Sequence, residues 1–448
     1  MRIHFIAIGG AIMHSLAIEL KKMGHTVTGS DDVIYEPAKS NLLKYNLLPD
    51  EEGWYPDNIH LNIDLVILGM HAKLDNPELL LTQKMNIPLM SFPEYIFEYS
   101  KHKKRIVIAG SHGKTTITSM ILHVLHDNNM KVDYLLGAKI DSIKNLVSLE
   151  NNDVIVIEGD EYFSSALDKR SKFMHYNPDI LVVSGVEWDH VNVFPTLDLY
   201  QDTFRNILNI TCEKSKQIFY CGDDDFLSDF LTNTNYITPY YLPKYKIKNN
   251  QFLIEYDSKE IPLNIFGKHN LYNLEAARLV ALRLGVSESQ FYKSIQSFQG
   301  AEKRLNLIKN NPLKNSAVFY DFAHSPSKVA ATINAVKELF PNRYLVACLQ
   351  LYTFSSLDIN FMPNYANVFK DADEVWIYVD EISMQQKNQK NIPDGFLLDV
   401  ICHNQIRIIK DKNGLKKYLY DFQFKNSNLL LMSSGNFSNI NLMAAFSE

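Results

Sequence analysis

Only four cysteines, Cys212, Cys221, Cys348 and Cys402, occur in 448 residues, and their spacing matches no metal-binding pattern. So sparse a set excludes a disulfide framework, and a reducing compartment, the cytoplasm, is expected. Glycine (18) and proline (16) are also scarce, which argues against long linkers or disordered tails. No segment approaches the ~18 apolar residues that a membrane span requires. The apolar stretch Ile3 to Leu20 is broken by His4, His14 and Gly9-Gly10 and leads to no small-residue cleavage site; it reads as strand, tight turn and helix, not as a secretory signal. Long basic runs are missing too. Net charge is −6, and the densest cluster, Lys101-His102-Lys103-Lys104-Arg105, directly precedes an apolar strand pattern. It reads as a solvated strand entrance and not as a nucleic-acid footprint.

What is present is the composition of a packed globular protein, 46% hydrophobic and 21% charged, with a length that at roughly 150 residues per domain implies about three domains. Short β-rich runs alternate with helical patterns almost throughout, as in parallel α/β sheets covered by helices. A first set, Ile3 to Ile8, Thr26 to Gly29, Leu65 to Leu68 and Pro88 to Met90, predicts a small Rossmann-like domain over residues 1–102. A second set, Arg105 to Ala109, Tyr134 to Leu136, Val154 to Ile157, Ile180 to Val183 and Gln217 to Tyr220, predicts a larger domain over 103–298, the one that carries the phosphate loop. Within it, Asn235 to Phe266 alternates in strand fashion with polar turns and reads as an antiparallel flap. A third set, Ala317 to Tyr320, Tyr344 to Ala347, Val375 to Tyr378, Ile406 to Ile409 and Leu429 to Met432, predicts a second Rossmann-like domain over 299–448, with a hinge near Ser297 to Arg304.

The strongest local signal is Gly110-Ser111-His112-Gly113-Lys114-Thr115-Thr116, between a strand pattern and the helical run Ile117 to Leu125. This is a phosphate loop, although Ile108 stands where the eight-residue motif has its first glycine. Its backbone N–H groups and helix N-terminus suit phosphate oxygens, Lys114 reaches the terminal phosphates and Thr115 can ligate Mg2+. Glu158-Gly159-Asp160-Glu161 follows a strand, where open α/β sheets bind ligands. Such carboxylates suit Mg2+; solvated acidic loop residues are the alternative. Glu187-Trp188-Asp189-His190 closes the next strand, and a lone histidine there is a metal ligand or, more commonly, a loop residue.

These features in this order resemble the Mur ligases, which build the peptide of bacterial peptidoglycan. Gly267-Lys268-His269-Asn270-Leu271-Tyr272-Asn273-Leu274-Glu275-Ala276-Ala277 is similar to that family's G-x-H-N-x-x-N-x-x-A-A segment, Lys303-Arg304 falls where its post-hinge arginine lies, and Asp321-Phe322-Ala323-His324-Ser325-Pro326 resembles D-Y-A-H-x-P. The resemblance implies an ATP-dependent amide ligase that activates a carboxylate as an acyl phosphate, with ATP and Mg2+ as cofactors. It implies Lys114 on the β- and γ-phosphates within the cradle Gly110 to Thr116, and Thr115, Glu158 and His190 on Mg2+. His269, Asn270 and Asn273 would lie by adenine and ribose, and Arg304 and Asp321 would complete the nucleotide site. Lys114, Glu158, His190 and Arg304 are the implied catalytic residues. Several Mur ligases carry a carbamylated lysine where this chain reads Thr203-Phe204-Arg205-Asn206; the branches that act first on UDP-N-acetylmuramate also lack that lysine.

The N-terminal turn resembles a uridine-nucleotide site, so Gly10, Ala11, Ile12, Met13, Ser30 and Asp31, together with Glu161, are expected to bind UDP-N-acetylmuramate. Ala7, Ile12 and Ser15 replace glycines of that pattern. The stretch Asp160 to Pro178, with its Asp168-Lys169-Arg170-Ser171-Lys172 core, and Met432 to Phe437 resemble the recycling branch, the murein peptide ligases. That likeness implies L-alanyl-γ-D-glutamyl-meso-diaminopimelate as the amine. The alternatives are the L-alanine-adding branch and a regulator that binds the nucleotide sugar without catalysis; no nucleic-acid or membrane partner is expected.

Overall fold

The structure, a computed structural model, describes residues 1–137, 143, 145–301, 304–380, 384, 392–422, 425–442 and 446. Lys303 of the Lys303-Arg304 pair lies outside the described residues. The chain forms two compact units: Met1–Val186 with Gln201–Tyr240 and Ala276–Glu288, and Glu187–Tyr200 with Tyr241–Glu275 and Ser289–Glu448.

The first unit holds two sheets. Strands β1 (Arg2–Ile6), β2 (Thr26–Ser30), β3 (Leu65–Leu68) and β4 (Leu89–Ser91) run parallel in the order β2-β1-β3-β4. Ile3, Phe5, Ile6, Val66 and Ile67 are buried on both faces, which is why these strands read as unbroken apolar runs. The helix Phe92–Ser100 starts at a capping box in which Ser91 and Glu94 bond reciprocally, satisfying donors left open by helix geometry. The Ser164 hydroxyl donates to Ser91 Oγ at 2.8 Å and so joins this start to the second sheet.

That second sheet comprises β5 (Lys104–Ala109), β6 (Asp133–Leu135), β7 (Val147–Ser148), β8 (Val154–Glu158), β9 (Ile180–Val183), β10 (Gln217–Cys221) and β11 (Ile237–Tyr240), ordered β11-β10-β9-β5-β8-β6-β7. Only β7 is antiparallel. The order reverses at β5, which pairs with β8 on one side and β9 on the other; ligands of such sheets bind in the crevice at this point.

Two expectations need correction here. β11 lies within the stretch read as flap, yet it pairs parallel with β10, so the flap starts only at Tyr245. The basic cluster is a solvated entrance only in part: Lys101, His102 and Lys104 are exposed, but Arg105 is buried, its Nε donating to Asn177 O at 2.9 Å and its Nη1 to Ser100 O at 3.0 Å. Lys103 lies 3.2 Å from the buried Asp133 carboxylate. Long cationic side chains enter protein interiors when carbonyl and carboxylate oxygens meet their donors.

In the second unit, β12 (Tyr245–Lys248), β13 (Gln251–Tyr256) and β14 (Lys259–Pro262) form the antiparallel flap. Its hairpins turn at Asn249-Asn250 and Asp257-Ser258, all at positive φ, the conformation that two-residue hairpin loops favour. Strands β15 (Asn306–Asn311), β16 (Ser316–Asp321), β17 (Tyr344–Gln350), β18 (Glu374–Tyr378), β19 (Ile406–Ile409) and β20 (Ser427–Met432) form a sheet ordered β15-β16-β20-β17-β18-β19. All but the added edge strand β15 are parallel. Its core gathers Phe319, Val329, Ile333, Leu349, Ile377 and Leu430, and Trp188 and Val191 pack against it. Among the described residues, no helix is long and apolar enough to cross a membrane.

Candidate functional site

In the first unit the phosphate loop leaves the carboxyl end of β5, and the helix Lys114–Asp127 starts behind it. Gly110 (φ 123°) and Gly113 (φ 77°) supply backbone conformations that L-residues resist. The helix has no side-chain cap, so its first-turn N–H groups are suited to phosphate oxygens. Register places Glu158 beside Ile108 on the neighbouring strand, which brings its carboxylate to the loop. Thr115 Oγ1 donates to Glu158 Oε1 and Gly137 N to Glu158 Oε2, each at 2.8 Å. A Cβ at Gly137 would lie 2.6 Å from Glu158 Oε1, so the carboxylate needs a glycine there. A hydroxyl and a hard carboxylate beside a phosphate cradle form a donor set that fits Mg2+.

Lys114 Nζ donates to Gly110 O at 2.6 Å and to Glu161 Oε2 at 2.9 Å. Burial works against its charge, but the carboxylates of Glu161, Asp160 and Glu158 outweigh it and raise the Lys114 pKa above the ordinary lysine value. Asp160 is bonded in turn by Lys172 Nζ at 2.5 Å. The charged stretch after it folds back as a hairpin, with Ser164 N donating to Arg170 O at 2.8 Å and Phe163 bridged to Ser171. Arg170 grips Asp168 through Nε and Nη2, and His175 Nε2 lies 3.2 Å from the same carboxylate. The charges of Asp168, Arg170 and Lys172 therefore have partners within the first unit.

The N-terminal candidates gather at the carboxyl edge of β1 and β2. Gly10 precedes the helix Ala11–Lys22, in which Ala11 is exposed, Ile12 half-buried and Met13 buried. Ala7 N and Ile8 N donate to Ser30 O at 2.9 and 3.0 Å. Ala7 holds φ 71° although it is not glycine, so the backbone expected of the glycine pattern persists. Asp31 Oδ2 accepts Gly9 N at 2.7 Å, and burial pushes its carboxyl up to about 6. The buried Ser30 hydroxyl donates to Glu78. Sequence reasoning missed Glu78, which also accepts Tyr55 N at 2.9 Å and Asn58 Nδ2 at 3.0 Å; nothing in its local pattern marks a buried acid.

The second unit carries the other candidates. His269, Asn270 and Asn273 lie at the start of the helix Lys268–Arg283, where Asn270 Nδ2 donates to Phe266 O at 2.9 Å and Asn273 Nδ2 approaches Asn270 Oδ1 at 3.4 Å. The Arg304 guanidinium stacks 4.7 Å from the centre of the Phe322 ring, and Asp321 accepts the Thr332 hydroxyl. His190 is a non-glycine residue at φ 58°. Its neighbour Asp189 is buried; Oδ1 accepts His190 N at 2.8 Å and Oδ2 accepts Lys328 Nζ at 3.1 Å. Burial first, then the Lys328 charge, pushes the His324 imidazole down to about 3, so it is neutral. Lys328 was also missed, since it lies 139 positions from Asp189 and within no motif.

Comparison with known proteins adds the following. Residues 2–104 match the family described as "Mur ligase family, catalytic domain" and residues 108–281 match "Mur ligase middle domain". The chain is 30% identical over 387 residues to a UDP-N-acetylmuramate--L-alanine ligase of Aquifex aeolicus, covering 84% of this chain and 82% of that protein. It is 29% identical over 451 residues to a protein of the same name from Clostridium kluyveri, covering 97% and 95%. Among solved structures, a UDP-N-acetylmuramate-alanine ligase of Thermotoga maritima shares the fold with a TM-score of 0.71 at 21% identity, covering 100% and 98%. A murein peptide ligase of Psychrobacter arcticus does so with 0.65 at 24%, covering 99% and 98%. The expectation of a recycling tripeptide ligase is corrected by these relatives: matches at about 30% identity over most of the chain bear the L-alanine name. The charged stretch behind that expectation is paired internally.

Proposed function

The chain belongs to the Mur ligase family, and from that premise we propose that it joins L-alanine to the carboxyl group of UDP-N-acetylmuramate. It is a three-domain, ATP-dependent carboxylate–amine ligase that uses Mg2+. The observation that carries the substrate assignment is the likeness to L-alanine ligases across 97% of the chain. The domain boundaries we propose are 1–102, 103–298 and 299–448, and free cysteines together with nucleotide substrates favour the cytoplasm.

Carboxylates do not acylate amines at neutral pH. When bound, ATP supplies the phosphoryl group that converts the carboxylate into an acyl phosphate, and Mg2+ neutralises the charge that gathers there. The open N–H groups at the start of Lys114–Asp127 would hold phosphate oxygens, and Lys114 would exchange Glu161 for the terminal phosphates. Thr115 and Glu158 would hold one metal and His190 a second. Gly10 to Met13, with Ser30 and Asp31, would position the nucleotide sugar, and Glu161 the reacting end. His269, Asn270, Asn273, Arg304 and Asp321 would orient the nucleotide.

The test is an amine panel with product mass detection: phosphate release should require UDP-N-acetylmuramate, Mg2+ and L-alanine together. A product with another amine but none with L-alanine would remove the substrate assignment while leaving the ligase intact.

A further inference from the structure

We propose that Lys328 is a positioning residue for His190: it neutralises the buried Asp189 and thereby keeps the loop that carries His190 in its metal-ready shape. This inference rests on the reading that His190 holds a metal ion.

Among the described residues of the second unit, the loop from Glu187 to Phe194 is held by the following contacts. Trp188 Nε1 donates to Phe194 O at 2.9 Å, and the Trp188 ring meets Phe361 edge-on at 5.6 Å. Val191 N approaches Ser355 Oγ at 3.4 Å. A further anchor is electrostatic: Lys328 Nζ to Asp189 Oδ2 at 3.1 Å. Asp189 is 2% exposed, and a carboxylate so enclosed stays in place only while a counter-charge or donors compensate it. Its other oxygen takes the His190 N–H, so the carboxylate holds the backbone of the next residue. That backbone sits in the left-handed region at φ 58°, a conformation that does not persist without outside support.

The anchor on the helix Pro326–Leu339 is shared. Thr332, four residues on from Lys328, bonds Asp321 through its hydroxyl and the Lys328 carbonyl at 2.9 Å. One helical face therefore fixes both Asp321 and Asp189, since residues four apart lie one above the other. His324, also beside this pair, is neutral and cannot replace the lysine charge. Removing the ammonium takes away a counter-charge 3.1 Å from a buried carboxylate. The least costly response is for Asp189 to turn toward water, and His190, bonded to it and adjacent in sequence, must follow.

The variants are Lys328→Met, Lys328→Met with Asp189→Asn, and His190→Ala, all in the full chain. Two readouts are used: Mn2+ binding with ADP present, from the electron paramagnetic resonance of free Mn2+, and the Mg2+ concentration for half-maximal turnover. Lys328→Met should weaken Mn2+ binding and raise the Mg2+ requirement by about tenfold to a hundredfold, as for groups that orient metal ligands. Adding Asp189→Asn should recover most of the loss, because no buried charge then needs compensation; a purely packing role for the lysine stem predicts no recovery. If His190→Ala shifts both readouts and Lys328→Met shifts neither, or tightens Mn2+ binding, the inference about Lys328 is wrong. If His190→Ala shifts neither, the metal reading of His190 falls and this inference falls with it.

Discussion

The Lys114 ammonium and the Glu161 carboxylate lie 2.9 Å apart, and Glu161 is 1% exposed. The phosphate-loop lysine is thus held by an internal acid and does not wave in solvent. Lys114→Ala should lower turnover on the order of a thousandfold, as loss of a charge aimed at the transferring phosphoryl does. It should also cost stability, ~3 kcal/mol, because it removes a charge partner of a buried carboxylate. Lys114→Ala with Glu161→Gln should restore the melting temperature but not the activity. A single variant as stable as the native protein would show that the ion pair contributes nothing.

Glu158 accepts a hydroxyl on one oxygen and a backbone N–H on the other. In Glu158→Gln the amide can still accept Gly137 N–H and donate to the Thr115 hydroxyl, but the hard anionic ligand is lost. Turnover at fixed Mg2+ should fall by about a hundredfold or more, with a higher Mg2+ requirement and little change in UDP-N-acetylmuramate binding by calorimetry. Unchanged Mg2+ dependence would return Glu158 to the role of a structural acceptor.

Asp31 predicts a pH effect. Burial raises its carboxyl from 3.8 to about 6, so the folded protein binds this proton more tightly than the unfolded chain. Its contribution to stability must therefore decline as pH rises from about 4 to about 6 and stay level above. Melting curves of Asp31→Asn across that range should lack this decline relative to the native chain, and parallel slopes would contradict the assignment.

Ala7 pays for a left-handed backbone that glycine adopts freely. An ideal Cβ at Gly69 would meet the Ala7 methyl at 2.9 Å, so the two positions share one small space. Ala7→Gly should raise stability by about 0.5–1 kcal/mol, the relief of left-handed strain less the greater freedom of the unfolded glycine. Denaturant titration would check it, and destabilisation would mean that the methyl contact matters more.

The parts of this fold legible in the sequence are those whose order is local. β5, its loop and the helix Lys114–Asp127 follow one another within twenty-four residues and announce themselves by apolar run, glycines and helical pattern. β7, two residues long, and β15, where Leu307 and Ile308 are the apolar residues in Asn306 to Asn311, owe their strand form to their neighbours. β11 contains Pro239, which the sheet accepts at its edge. The site shows the same division. Lys114, Thr115 and Glu158 come together as adjacent strand ends require, whereas the pairing of Lys328 with Asp189 depends on tertiary folding. The amine is not legible in the sequence, because the likeness of Asp168 to Lys172 to the recycling branch lies in charges of Asp168, Arg170 and Lys172 that fasten a hairpin in the first unit.

Arg105 has a bearing on how this chain can be dissected. Its guanidinium is held by the carbonyls of Ser100 and Asn177, so the final turn of one folded layer completes the hydrogen bonding of the next. A truncation that starts at residue 103, the obvious place to cut by motif, would leave a buried cation short of an acceptor. Modular exchange of the N-terminal part between related enzymes would face the same penalty. A recombinant chimera should cross over upstream of Ser91, keeping the capped helix Phe92–Ser100 together with Arg105.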